Sequence, residues 1–253
     1  MRQGWMGVIG IGMIGFLLGL VSSRGGAEEP PGRWQPADRR VVDGNPVVLF
    51  VESEKTAGRP AFKIETRLEV SPFVAAATLM EGMLSDDDLP KGQRRRILER
   101  SEQGALVYTF IDLPFPLSDR ELALRIVHSR DDVTGIHRVE WAEANDALPA
   151  REEGVVRLSG AVGHWELRPD GRRGTHATHM TQTELGGSIP DAIGDRLMKA
   201  QALDSVDRLR DRIRDRERRH VAGAPPVVEL FPKDRIPKDG IPDERVPEDR
   251  VRE

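Results

Sequence analysis

Alternating apolar and polar residues predict a series of β-strands through the middle of the chain. The clearest example is residues 61–70, in which Phe62, Ile64, Thr66 and Leu68 alternate with charged side chains. A period of two places the apolar residues on one face, so this segment predicts a half-buried antiparallel strand. Similar runs bounded by Gly, Pro, Asp or Asn predict further strands at residues 46–52, 95–102, 105–112, 120–129, 135–143, 155–167 and 174–184.

Two helices are predicted, one between the second and third strands and one after the last strand. Ser71 followed by Pro72 supplies an N-cap and a proline at the first helical position of the first helix. The second helix is predicted over residues 190–219, because apolar residues recur there at helical spacing: Ile193, Leu197, Leu203, Val206, Leu209 and Ile213. Such a helix must bury its apolar face on the sheet. The order of elements therefore predicts an α+β fold in which an antiparallel sheet grips the C-terminal helix around a cavity.

The first 27 residues have the pattern of a targeting segment. Arg2 precedes an uncharged stretch of apolar residues and glycines at residues 5–21, and the small residues Gly25, Gly26 and Ala27 offer a cleavage site. We therefore predict a signal peptide at residues 1–27 and export, to the periplasm or as a secreted protein. The apolar stretch is also at the lower limit for a spanning helix, so an uncleaved membrane anchor stays open as the alternative.

Two polar, proline-containing segments flank the predicted domain, which covers residues 41–220. Residues 28–40 are polar and proline-rich, which predicts a linker. Residues 221–253 contain a pentapeptide series that begins FPKDR and has a proline every five positions. Proline at this spacing prevents a helix and interrupts a sheet ladder, so we predict a disordered proline-rich tail. A tether to the cell envelope, or an envelope partner bound through this tail, is a hypothesis for its role.

Composition and charge exclude several classes of function. The chain has 253 residues, no cysteine and a formal net charge of -4, which becomes -6 once Arg2 and Arg24 leave with the signal peptide. Without cysteine there are no disulfides, thiolate nucleophiles or cysteine-bound metals. The acidic balance argues against nucleic acid as a partner. The sequence has no glycine-rich phosphate loop and no nucleophile elbow, and no cofactor is predicted.

Several short segments, in their order along the chain, resemble the motifs of a known family. Residues 113–121 read LPFPLSDRE, residues 163–169 read GHWELRP, and residues 185–190 read LGGSIP and lead into the last helix. This series resembles the START domains, the StAR-related lipid-transfer family, over most of the chain. The resemblance implies structural roles for Pro114, Pro116, Arg120, Glu121, Arg157, Gly163, Gly187 and Pro190.

The resemblance implies a helix-grip fold, in which a curved antiparallel β-sheet wraps around a long C-terminal α-helix and encloses a hydrophobic tunnel. It also implies a monomer that binds and transfers one lipid, sterol or similar apolar molecule, with transient membrane contact and without catalysis. The tunnel wall is predicted to include Val107, Leu122, Leu124, Ile126, His128, Trp141, Trp165, Leu197 and Leu203. Ile126 stands where some sterol-binding members carry a cavity-facing arginine, so a more apolar cavity is implied.

Two polar residues near the motif have two interpretations each. Arg120 is predicted to fix a loop by pairing with Asp119 or Glu121, and a ligand contact is the alternative. His128 is predicted as a hydrogen-bonded residue of the core or rim, with a ligand contact as the alternative. An enzyme resembling helix-grip cyclases or hydrolases, with His128 as an acid–base group, is the alternative function.

Two further clusters favour a structural over a functional interpretation. The trio His164, His176 and His179 suggests a metal site, but the last two are an odd number of positions apart and face opposite sides of a strand. The arginine-rich residues 210–219 are predicted as a solvated helix end that complements the helix dipole. A membrane-docking patch on this helix end is the alternative.

Overall fold

The structure is a computed structural model that describes residues 33–53, 61–86, 89–151, 153–171, 173–187 and 189–221. The predicted signal peptide, residues 1–27, and the predicted tail from residue 222 onward lie outside the described residues. Within the described ranges, no helix is both long enough and apolar enough to cross a membrane.

One large curved sheet dominates the described part of the chain. Its strands are β1 (Trp34–Val42), β2 (Asn45–Glu52), β3 (Phe62–Leu68), β4 (Gln93–Ser101), β5 (Gly104–Ile111), β6 (Arg120–Arg130), β7 (His137–Glu143), β8 (Val156–Arg157), β9 (Ser159–Asp170) and β10 (Gly174–Glu184). They are ordered β1-β2-β3-β10-β9-β7-β6-β5-β4, with antiparallel neighbours throughout. The short strand β8 pairs in parallel with the start of β6.

Two helices, α1 (Pro72–Leu84) and α2 (Asp191–Val221), pack on the sheet and confirm the predicted α+β arrangement. We call the face they cover the inner face. α1 contacts β7, β9 and β10, and α2 contacts β3, β10 and α1. Alternate strand residues supply the core beneath the helices, and the most deeply buried include Leu49, Ile64, Ile126, Val139 and Leu167. Burial therefore follows the same period of two that predicted the strands.

Polar groups at both ends of α1 satisfy backbone atoms that the helix itself leaves without partners. At the start, the side chain of Ser71 accepts a hydrogen bond from the Val74 N–H, as the sequence predicts. At the end, Arg95 of β4 donates to the carbonyls of Gly82 at 2.7 Å and Ser85 at 3.1 Å. This arginine ties the end of α1 to the sheet edge, which the sequence pattern did not indicate.

A buried arginine anchors the C-terminal half of α2 to the sheet. Arg210, 6% exposed, donates to the Val42 carbonyl at 3.0 Å, to Thr66 Oγ1 at 2.8 Å and to the Arg67 carbonyl at 2.9 Å. A buried cation needs such partners, because removing it from water without them is costly. Residue 210 therefore belongs to the core, whereas the sequence predicted a solvated helix end from that position onward.

The buried stripe of α2 begins later than predicted. The residues that face the core are Met198, Ala202, Val206, Leu209 and Ile213. Ile193 and Leu197, in contrast, are 50% and 45% exposed. One residue along an α-helix is a rotation of about 100°, so with Met198 turned towards the core Leu197 is turned to the surface. The predicted place of Leu197 in an inner wall is therefore corrected to the surface.

The predicted linker at residues 28–40 is wrong from Trp34 onward, where β1 begins. Asp43 and Gly44 have positive φ angles of 52° and 76°, which suit the tight turn that pairs β1 with β2. The polar side chains of β1 contact α2. Arg40 donates a hydrogen bond to Asp207 at 2.7 Å, and Asp38 forms an ion pair with Lys199 at 3.2 Å. The segment is polar because it is an edge strand with ion pairs to a helix.

The predicted strand at residues 155–167 is two strands, because the chain changes partner at Leu158. β8 lies beside β6, whereas β9 lies between β7 and β10. Gly160, with a positive φ of 58°, sits at the start of β9. Both parts carry the same apolar pattern, so the sequence did not reveal the switch between them.

Candidate functional site

Strand β6 has the two faces that its sequence predicts. Leu124 and Ile126 point to the inner face and contact the main core. Ala123 points the other way and packs with Leu106 in a separate outer cluster. Leu122 is buried on the same side as Leu124, with which it packs. The inner face of β6 is therefore apolar from Leu122 to Ile126, and its role in ligand contact stays a prediction.

The remaining predicted wall residues differ in burial. Val107 and Trp165 are 2% and 3% exposed, so they are core. Leu124, Trp141 and Leu203 are only half-buried, although each packs against the core cluster. Half-buried apolar side chains on the helix-covered face mark places where neither sheet nor helix fills the contact shell. We call the accessible part of the inner face beside Leu124 and Trp141 the inner gap.

A stack of three rings borders the inner gap across β7, β9 and β10. The ring of His179 lies 4.4 Å from that of Trp165, at 11° between planes, and 5.6 Å from that of Trp141 at 40°. Gly163 makes room for Trp141, because a Cβ at that position would overlap the indole ring and the Met180 carbonyl. In the Gly-x-Trp motif, Gly163 thus leaves space for the indole of Trp141, and Trp165 supplies a second indole beside it.

His179 is buried as a neutral imidazole. Burial lowers its pKa to about 3, against the opposing effect of a hydrogen bond to the His164 carbonyl. Nδ1 lies 3.4 Å from that carbonyl oxygen, which can only accept, so Nδ1 carries the proton and Nε2 carries the lone pair. Among the described residues, none forms a hydrogen bond with Nε2. The alternation of Thr175, Ala177 and His179 signals this inward position, which the metal hypothesis had obscured.

A second pair of imidazoles lies on the inner face where β6 meets β7. His128 Nε2 is 3.0 Å from His137 Nδ1, and the edge of Phe73 from α1 faces His137 at 6.0 Å. Burial lowers the pKa of both groups, that of His137 to about 4 with a further contribution from His128 and Arg130. His128 is therefore a hydrogen-bonded residue at the rim of the core. Its partner His137 was missed because the pairing of β6 with β7, which brings the two rings together, is not visible in the sequence.

Arg120 fixes a loop, but through backbone carbonyls rather than through Asp119 or Glu121. Its guanidinium donates to the carbonyls of Leu185 at 3.2 Å and Gly186 at 3.4 Å, and also to that of Ser118. The prediction of a carboxylate partner is corrected accordingly. Gly186 and Gly187 have positive φ angles of 60° and 67°, and the turn they form ahead of α2 presents these carbonyls to the guanidinium.

The acidic motif residue Glu121 has a different partner. Arg157 donates to Glu121 Oε1 from Nε at 2.9 Å and from Nη2 at 2.6 Å, and the Tyr108 hydroxyl donates to Oε2 at 3.1 Å. Glu121 and Arg157 lie on β6 and β8, so the ion pair holds these two short-paired strands together. These contacts agree with the structural roles that the resemblance implies for both residues, and those roles stay a prediction.

The proline positions of the motif shape the loop between β5 and β6. The Phe115–Pro116 peptide bond is cis, and the Leu117 N–H donates to the Pro114 carbonyl at 3.1 Å. The Phe115 side chain is 97% exposed. Pro190 directly precedes α2, and its carbonyl accepts from the first free N–H groups of that helix. The loop and the start of α2 lie at the same end of the molecule, because Arg120 contacts both.

The other two clusters have structural explanations. The described residues contain no group of three His, Asp or Glu side chains placed to hold a metal ion, and His176 is exposed on the face opposite His179. At the arginine-rich end of α2, Arg214 pairs with Asp43 at 2.5 Å and Arg216 pairs with Glu81 at 2.6 Å. These pairs reduce the cationic character that a membrane-docking patch would need.

Comparison with solved structures places this geometry among known folds. The crystal structure of a STAR-related lipid transfer protein from Xanthomonas axonopodis matches 72% of this chain and 99% of its own, with a TM-score of 0.57 and 22% identity. Human StAR-related lipid transfer protein 5 matches 75% of this chain and 90% of its own, with a TM-score of 0.60 and 14% identity. The protein has the START helix-grip fold.

A comparison of sequences finds one similar curated protein. An uncharacterized protein of Pseudomonas aeruginosa is 28% identical over 116 residues, which are 46% of this chain. The chain spans 56% of that relative's length. No protein-family profile matches the sequence.

Ile126 lies at the centre of the inner face, among apolar neighbours. Ile126 is paired with Ala105 on β5 and with Trp141 on β7, and both Ile126 and Ala105 are buried. An arginine at this position, as the resemblance implies for some sterol-binding members, would need a charged partner that these neighbours do not offer. The centre of the inner face is accordingly apolar.

The lowered histidine pKa values predict a loss of stability in mild acid. The unfolded chain binds protons at these imidazoles below pH about 6.5, whereas the folded chain does not until the pH approaches the lowered values. Stability is therefore fully present well above pH 6.5 and falls as the pH decreases, towards pH 4 for His137 and towards pH 3 for His179. Urea unfolding at pH 7.5 and pH 5 should show the decrease, of which His179 alone contributes about 2 kcal/mol. His179→Phe should be less sensitive to acid by that amount; an unchanged pH dependence would contradict the burial of a neutral imidazole.

Proposed function

We propose that this protein binds one apolar molecule between the inner face of the sheet and its helices, and carries it between membranes. The observation that carries the proposal is the inner gap, where Leu124 and Trp141 stay half-buried on the sheet face that carries the helices. Apolar surface left accessible inside a fold gains about 25 cal/mol per Å² when an apolar ligand covers it. A mostly apolar wall with few polar groups is the usual design of such a pocket.

The solved structures with this fold support the same proposal. The proteins from Xanthomonas axonopodis and human that share the fold are named as lipid transfer proteins. We extend that activity to this chain on the strength of the shared fold and the apolar inner gap. The activity of the complete protein, the membranes it serves and its monomeric state are part of the proposal.

Filling the inner gap should abolish binding without unfolding the protein. We expect Leu124→Trp to lose uptake of pyrenedecanol and dehydroergosterol, two fluorescent apolar probes, while its unfolding free energy stays within about 1 kcal/mol of the wild type. Val162→Trp is the matched control, because Val162 is 39% exposed on the outer face of β9, and this variant should bind both probes normally. Native mass spectrometry of the wild-type protein should also show a co-purified apolar molecule.

Two outcomes would contradict this binding site. If Leu124→Trp destabilised the protein by about 1–3 kcal/mol or more, the site would already be filled by side chains. If the wild-type protein took up neither probe and carried no extractable lipid, binding of an apolar molecule would be refuted.

We further propose that the end of the molecule containing Phe115 touches the membrane. Phe115 is 97% exposed, and Ile193 and Leu197 on the first turns of α2 are 50% and 45% exposed. Arg120 connects the Phe115 loop to the start of α2 through Ser118 and Leu185. Exposed apolar side chains gathered at one end suit insertion among lipid headgroups.

Removing the apolar side chain from this end should weaken membrane contact. Phe115→Asp should bind neutral phosphatidylcholine vesicles about tenfold more weakly and transfer dehydroergosterol correspondingly more slowly, with unchanged probe affinity in solution. Val133 is the control, because it is 95% exposed in the turn at the opposite end of β6. Val133→Asp should leave vesicle binding unchanged. Equal effects of both substitutions would refute a membrane-contacting end.

One observation supports an enzyme as the second candidate function. His128 and His137 are within hydrogen-bond reach of each other on the inner face, and neutral imidazoles can act as acid and base. We expect no hydrolysis of p-nitrophenyl hexanoate above the buffer rate by the wild-type protein. Turnover that disappears in a His128→Gln/His137→Gln double variant with retained probe binding would favour the enzyme over the carrier.

Export and the role of the tail rest on sequence alone. The leader at residues 1–27 supports a periplasmic or secreted protein, held by an uncleaved anchor in the alternative case. The proline-repeat tail supports a tether or an envelope partner.

A further inference from the structure

We infer that His179 is the polar contact of the bound molecule, and that this molecule presents a neutral hydrogen-bond donor, a hydroxyl group. The inference deepens the proposed carrier function and rests on it. The hydroxyl group at one end of an otherwise apolar ligand would donate a hydrogen bond to His179 Nε2.

The ring of His179 is held in a fixed orientation. Trp165 stacks on it at 4.4 Å and 11°, and Trp141 lies 5.6 Å away on β7. The indole of Trp141 packs directly against the backbone of Gly163, so the ring cannot move away from His179 in that direction. A polar atom on a ring locked in this way is pre-organised for a directional contact, because no rotamer freedom is lost on binding.

The hydrogen bond at Nδ1 decides what Nε2 can do. Nδ1 donates its proton to the His164 carbonyl, so Nε2 of the neutral ring has a lone pair and no proton. Nε2 is farther from the strand backbone than Nδ1 and has no hydrogen-bond partner among the described residues. Nε2 is not among the fully buried unpartnered side-chain atoms of the described residues, so it keeps accessible surface that a ligand donor can reach and pair with.

The inner gap lies next to this acceptor. Trp141 is the shared neighbour, since its ring contacts that of His179 while its side chain stays half-buried at the gap. On β10, Ala177 and Thr181 flank His179 on the same face, so the surroundings are uncharged. A ligand whose apolar body fills the gap would bring a polar end to Nε2.

The charge state of the ring selects the ligand class. With a pKa of about 3, the imidazole is neutral at physiological pH and offers no cation to a carboxylate or phosphate. An anionic headgroup would lose its hydration here without a counter-charge. An alcohol has the required donor and no charge, which points to sterols and long-chain alcohols over fatty acids and phospholipids.

Matched ligands with and without a hydroxyl donor test the inference. The full-length protein would be titrated with hexadecanol, its methyl ether and hexadecanoate, and with cholesterol and its methyl ether. The wild-type protein should bind at least one alcohol about five- to tenfold more tightly than the corresponding ether, as expected for one hydrogen bond. His179→Phe keeps an aromatic ring on Trp165 and should bind alcohol and ether equally, near the ether affinity of the wild type.

His176→Phe is the matched control, because His176 lies on the same strand but is exposed on the outer face. It should keep the preference for alcohol. Tighter binding of hexadecanoate than of hexadecanol, equal binding of alcohol and ether by the wild type, or a preference that survives His179→Phe would each overturn the inference while leaving the carrier function intact. Failure of all five compounds to bind would overturn the inference, and together with absent probe uptake and no extractable lipid it would refute the carrier function itself. If His179→Phe does not fold, the alcohol-to-ether ratio of the wild type alone decides.

Discussion

The fold depends on how two helices cover one face of a much wider sheet. Nine strands side by side, at about 4.8 Å spacing, span roughly 40 Å, whereas two helices of about 10 Å diameter cover about half of that width. Curvature brings the sheet edges towards α2 and reduces the difference. The remaining inner surface must be covered by loops, by side chains or by a ligand. The half-buried state of Leu124 and Trp141 is a direct consequence of this mismatch.

Two buried arginines hold α2 and the turn that precedes it on the sheet. At its N-terminal end, Arg120 binds the carbonyls of Leu185 and Gly186 in the turn that leads into the helix. Farther along, Arg210 binds the carbonyls of Val42 and Arg67. In both places most of the hydrogen bonds go to backbone carbonyls, and Arg210 also lies 3.6 Å from the exposed carboxylate of Asp43. The bonds therefore position backbone segments both at the turn before α2 and along its C-terminal half.

The sequence was sufficient to predict the strands in which the alternation of apolar and polar residues alone decides which side chains are buried. Alternation predicted the inner and outer faces of β3 and β6, because burial on one side leaves little freedom of register. It failed where polarity had another cause. The charged strand β1 has the composition of a linker, because its polar residues form ion pairs with α2 instead of entering the core. At Leu158 the chain changes its strand partner, and no sequence pattern marks that change. The partner of Arg120 was also out of reach, because it lies 65 residues away in a turn.

The candidate site shows the same division between local and non-local information. The Gly-x-Trp motif was visible in the sequence, but its purpose depends on Trp141, a residue on another strand that lies over Gly163. His179 looked like one member of a histidine cluster until the strand pairing placed it between two indoles. An apolar residue at position 126 removes charge from the centre of the inner face, while the neutral imidazoles of His128, His137 and His179 add polarity without charge. In the proposed carrier, such an interior would discriminate by hydrogen bonding instead of by ion pairing, since a neutral acceptor attracts a donor proton but does not compensate a buried anion.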